Sequence, residues 1–71
     1  MKTISKYNDR RGRLLVIKET PTGNLVGEVF NDGNEKRRKA DMRATFYVSD
    51  REATEFRVCE YFGFDIKNKT V

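Results

Sequence analysis

Histidine is absent from the 71 residues, cysteine occurs once as Cys59, and proline once as Pro21. Each shortage removes a class of chemistry. Histidine is the side chain most used as a general base near neutral pH and the commonest metal ligand. Without it, and with a single cysteine, most nucleophilic and metal-assisted schemes have no donors to build on. None of the eleven Asp and Glu residues stands beside a partner that suggests an acid-base dyad. One cysteine makes no internal disulfide, no paired-cysteine redox motif and no cysteine-rich zinc site, which suits a reducing, cytoplasmic compartment. No apolar run approaches the roughly 20 residues of a membrane span, and the first seven residues lack the apolar stretch of a secretion signal. The expectation is a non-enzymatic protein with no cofactor and no metal, away from membranes.

What the chain has in quantity is charge. Fifteen Lys and Arg against eleven Asp and Glu give a net charge of +4, which favours polyanionic partners without naming one. A chain of this length makes one domain, 1–71, whose core yields a net stability of roughly 3 to 5 kcal/mol.

The most legible stretch runs from Met42 to Phe64. Met42, Ala44, Phe46 and Val48 alternate with Arg43, Thr45 and Tyr47, a period of two that puts the first set on one face of a strand. Ser49 followed by Glu52 reads as a capping box, the start of a helix. Ala53, Phe56, Cys59 and Phe62 supply its apolar stripe, Gly63 its left-handed stop, and Phe64 a residue that folds back on the last turn. Upstream, the run Leu14-Leu15-Val16-Ile17 predicts a central strand, the turn 20–24 reverses the chain, and 25–30 returns antiparallel. Residues 1–12 read as a flexible N-terminal arm, or as a short extra edge strand through Ile4. Asp32-Gly33-Asn34 is a strong turn signal, and 31–41 reads as a basic loop or a solvated hairpin arm without core residues. After Gly63, Phe64 and Ile66 would share a face in a short strand. The fold class is α+β: a three-stranded antiparallel sheet covered on one face by a single C-terminal helix. In topology alone this resembles AP2-type and integrase arm-binding DNA readers, and a shared fold does not by itself carry function.

Three features are candidates for function. Lys36, Arg37, Arg38 and Lys39, with Arg43 beyond them and Arg10, Arg11 and Arg13 before the first predicted strand, suit phosphate contacts; the plainer alternative is a loop kept soluble by charge. On the strand face opposite the helix, Arg43, Thr45 and Tyr47 suit groove contacts or a stacked base; the plainer alternative is a half-wet sheet face. Val58 and Tyr61 lie off the predicted stripe and would form an apolar patch for a protein partner or homodimer, unless the N-terminal arm covers them. The helix carries Glu52, Glu55 and Glu60 and is a poor candidate for a DNA groove. Two functions follow. One is a nucleic-acid-binding protein, DNA favoured over RNA, using the loop and the sheet face. The other is an inhibitor or adaptor, of the kind used by phages and mobile elements, docking on an acidic surface of a host protein.

Overall fold

The computed structural model describes residues 1–36 and 39–70. Four antiparallel strands cross one sheet in chain order: β1, Lys2–Asn8; β2, Leu14–Glu19; β3, Leu25–Phe30; and β4, Met42–Phe46. One helix follows, α1, Arg51–Phe62, and then a 3-10 turn, Ile66–Asn68. The architecture is α+β, with β1 supplying the extra edge strand over seven residues. Because each strand pairs with its chain neighbour, the chain climbs and descends in turn. The β1–β2 turn and the β3–β4 loop therefore lie at one end of the sheet. The β2–β3 turn and the start of α1 lie at the other.

Alternation sorts the side chains onto two faces. Leu15 and Ile17 join Tyr7, Leu25 and Val29 beneath the helix, whereas Leu14 and Val16 face the other way with Phe30. β2 is buried on both sides, as its unbroken apolar run requires. Gly27 fixes where α1 crosses: a Cβ there would lie 2.6 Å from the Phe62 ring and 2.7 Å from Val58. Only glycine admits the helix so close.

The buried helix face is Thr54, Val58, Cys59 and Phe62. The expected stripe of Ala53, Phe56, Cys59 and Phe62 is wrong in half its members. At about 100° per residue, each step of three falls some 60° short of a full turn, so Ala53 and Phe62 end on opposite sides of the helix. Ala53 is exposed and Phe56 keeps 51% of its surface in water, while Val58 has none. The cap also moves by one residue. Asp50, not Ser49, accepts from the Ala53 N–H at 3.1 Å, and a carboxylate gains there from the positive end of the helix. At the far end Gly63 takes φ 78°, its N–H bonds to the Glu60 carbonyl, and the Phe64 N–H reaches the Cys59 carbonyl at 2.8 Å. Phe64 is buried, as its position after the glycine predicts.

The tail does not form the strand expected of Phe64 and Ile66. Asp65 accepts from the Lys67 N–H and caps the 3-10 turn, after which Thr70 bonds to β1. Buried Ser5 and Tyr7 hydroxyls both donate to Glu55 of the helix, at 3.2 and 3.1 Å, and join β1 to α1. No helix among the described residues is long and apolar enough to cross a membrane.

Candidate nucleic-acid interface

The loop 31–41 is built from its own polar side chains. Gly33 closes a turn onto the Phe30 carbonyl, Asp32 accepts from the Asn34 N–H, and Asn34 accepts from the Lys36 N–H. Its two ends are stapled where Asp41 accepts from the Asn31 N–H at 2.8 Å. Instead of projecting as a two-stranded arm, the described part of the loop lies back through Glu35 and Ala40 on the sheet face opposite α1. Glu35 pairs with Lys6 at 2.7 Å, and Ala40 packs on Leu14, Val16 and Phe30, so the loop does lend a residue to a core. Lys36 and Lys39 are exposed; Arg37 and Arg38 lie outside the described residues.

Alongside this loop sits the β1–β2 turn. A Cβ on Gly33 would lie 2.7 Å from the Gly12 carbonyl oxygen, so the two turns touch. Arg10 and Arg11 are exposed on that turn, and they line a groove with Asn68 and Lys69 of the tail. Arg13 is occupied otherwise. Its Nε donates to Asp9 at 2.6 Å, its guanidinium lies 4.8 Å from the centre of the Phe64 ring, and Nη2 donates to the Phe62 carbonyl at 3.4 Å. It offsets the negative end of the helix and holds the cap in place, so its guanidinium is already engaged within the fold. Partial burial works against the Asp9 carboxylate, but hydrogen bonds from the Arg13 side chain and from the Arg13 and Arg11 amides outweigh it and hold the carboxyl below its ordinary value of 3.8.

Three separated stretches thus share one end of the molecule. Among the described residues, segments 9–13, 31–41 and 63–70 contain seven Lys and Arg and five Asp and Glu, while the rest of the chain contains six of each. The excess of positive charge among the described residues belongs to this end.

The other candidates are dispersed. Arg43 and Thr45 do lie on the face opposite α1, beside Lys18 and Val16, but Glu28 occupies the middle of that row. Its carboxylate is 2.8 Å from Lys18 Nζ, a charge contact without hydrogen-bond alignment, and 3.5 Å from Arg43 Nε. Tyr47, 80% exposed, stands past the far end of β4, about 20 Å from the basic loop by strand rise. Val58 is fully buried beneath the helix, so the proposed Val58 and Tyr61 patch does not exist as a pair. Tyr61 is 67% exposed and meets the Phe46 and Phe62 rings edge-on, at 5.4 and 4.9 Å. Burial pushes the Cys59 thiol up to about 11, which makes it a poor nucleophile. No group of three His, Cys, Asp or Glu able to hold a metal occurs among the described residues.

Lys69 is not legible as a site residue in the sequence, since more than fifty residues separate it from the turn whose groove it lines. Arg10 and Arg11, expected from the sequence as contact residues before the first strand, are both exposed on the β1–β2 turn. No protein-family model, curated protein or solved structure matches the chain.

Proposed function

We propose that the protein binds nucleic acid, duplex DNA before RNA, by clamping the phosphate backbone at the basic end of its sheet. The observation that supports this reading is the concentration of the excess positive charge of the described residues in three neighbouring segments, with the rest of the surface balanced. Arg10, Arg11, Lys36 and Lys39 present exposed cationic side chains there, and each phosphate they neutralise releases a condensed counterion. Arg37 and Arg38 belong to the same charge run in sequence. Arg43 and Thr45 lie along the adjacent face, where a backbone leaving the clamp would pass. Recognition of this kind is mainly sequence-independent, because contacts to phosphate carry no sequence information.

The experiment is fluorescence anisotropy on duplex DNA, single-stranded DNA and duplex RNA across a salt series. The expected result is sub-micromolar binding at physiological salt with a log-log slope near −0.9 per phosphate contacted. Arg10→Ala with Arg11→Ala should flatten that slope by about two contacts, whereas Lys2→Ala with Arg57→Ala, which removes equal charge elsewhere, should leave it. Equal effects from the two pairs would reduce the attraction to net charge and overturn the clamp. No binding at all would favour a protein partner docking on the same charged end.

A further inference from the structure

The sheet has two edges, and the chain treats them differently. Along β1 the outer edge is occupied: Thr70 donates to the Lys6 carbonyl through its N–H at 2.7 Å and through Oγ1 at 3.2 Å, and Tyr7 bridges to Lys69. Among the described residues nothing pairs with the outer edge of β4.

The phase of the ladder determines what that edge presents. The Thr20 N–H bonds to the Asn24 carbonyl at 2.9 Å, and antiparallel pairing alternates from there, so Val26, Glu28 and Phe30 exchange bonds with β2. Leu25, Gly27 and Val29 must then turn theirs to Phe46, Ala44 and Met42. Arg43 and Thr45 are left with N–H and C=O aimed outward.

We propose that this edge pairs with the same edge of a second copy of the chain, antiparallel, with Ala44 on the two-fold axis. In that register the outward groups of Arg43 and Thr45 exchange hydrogen bonds with those of Thr45 and Arg43 in the other copy, and the strand is used along its whole length. On the helix side Met42, 39% exposed, meets Phe46 of the other copy beside its exposed Tyr61, and the small Ala44 side chains meet at the closest point. On the opposite side each Arg43 faces Thr45 and keeps its contact with Glu28, so no like charges oppose. Sliding the register to centre on Arg43 would set two guanidinium groups face to face. Sliding it the other way would draw in Tyr47, beyond the strand. β4 also carries neither lysine nor proline, the residues that commonly blunt an edge. A strand this short buries little, so the dimer is concentration-dependent.

Sedimentation velocity of the whole chain, from about 1 to 500 µM, tests this. The mass should rise from 8.3 kDa toward twice that value. Thr45→Pro, which removes an outward N–H only, should melt like the wild type and stay monomeric. Ala44→Cys should oxidise to a covalent dimer, since residues on the axis of a non-hydrogen-bonded pair have Cα atoms about 4.5 Å apart, within disulfide range. Thr45→Cys should not. A wild type that stays monomeric throughout, a dimer that survives Thr45→Pro, or cross-linking of Thr45→Cys in place of Ala44→Cys would each overturn the proposal. Should Thr45→Pro fail to fold, the cysteine pair alone decides between this dimer and a foreign strand on the same edge.

Discussion

Glu55 joins elements that are far apart in the chain, and its removal exposes what it holds. Its carboxylate accepts from the buried hydroxyls of Ser5 and Tyr7 and lies 3.9 Å from Lys69. Burial, with Cys59 and Glu55 beside it, raises the Tyr7 hydroxyl well above its ordinary value, so the phenol stays a neutral donor. Glu55→Ala leaves both hydroxyls without acceptors and should cost about 2–4 kcal/mol in urea unfolding, whereas Tyr7→Phe should cost about 1. Phe62 and Phe56 make a second contrast. Phe62→Ala should cost about 3–5 kcal/mol by opening a cavity against Gly27, enough to unfold most of the protein, while the half-exposed Phe56→Ala should cost under about 1. Asp9 gives a pH signature. Its folded-state carboxyl titrates below the unfolded one, so the folded state binds fewer protons. The Asp9–Arg13 contribution is therefore complete above an unfolded pKa of 3.8 and lost as pH falls through the lower folded value. A melting series from pH 2 to pH 6, in wild type and Asp9→Asn, should show that acid-sensitive component missing in the variant.

For the elements, the boundaries of α1 are the sharpest test. Asp50→Ala should cost about 1 kcal/mol and Ser49→Ala close to nothing, because the side chain that accepts from the Ala53 N–H belongs to Asp50. The reverse order of effects would restore the capping box at Ser49. Gly27→Ala would push a methyl into Phe62 and Val58 and should destabilise by about 1–3 kcal/mol, although alanine at an open strand position is harmless. β1 was the least legible element. In Lys2-Thr3-Ile4-Ser5-Lys6-Tyr7 the alternation is present but polar, and Ser5 is acceptable in a core because its hydroxyl donates a hydrogen bond to Glu55. A bulge between Thr3 and Ser5 shifts the register again and lets Ile4 pack on the core.

Taken as a whole, the molecule is polar in its charge, with a basic end formed by two turns and a tail and a balanced remainder. Local sequence specifies the parts that depend on near neighbours: the hairpin reversal at 20–24, the alternation in Met42–Phe46, the turn at Gly33, the stop at Gly63 and the fold-back of Phe64. Each follows from backbone preference or from hydrogen bonds that close within a few residues. Tertiary structure alone decided the rest. Which side of α1 is buried was set by the gap over Gly27, not by the helix, so Val58 went in and Phe56 stayed out. Arg13 is engaged within the fold because Asp9 and Phe64 hold its guanidinium. Arg10 and Arg11 share an end of the sheet with Lys36 and Lys39 because strands that reverse at every turn return alternate turns to the same end. Charge acts through space, and contiguity in space is a property of the topology, which no local run of residues contains.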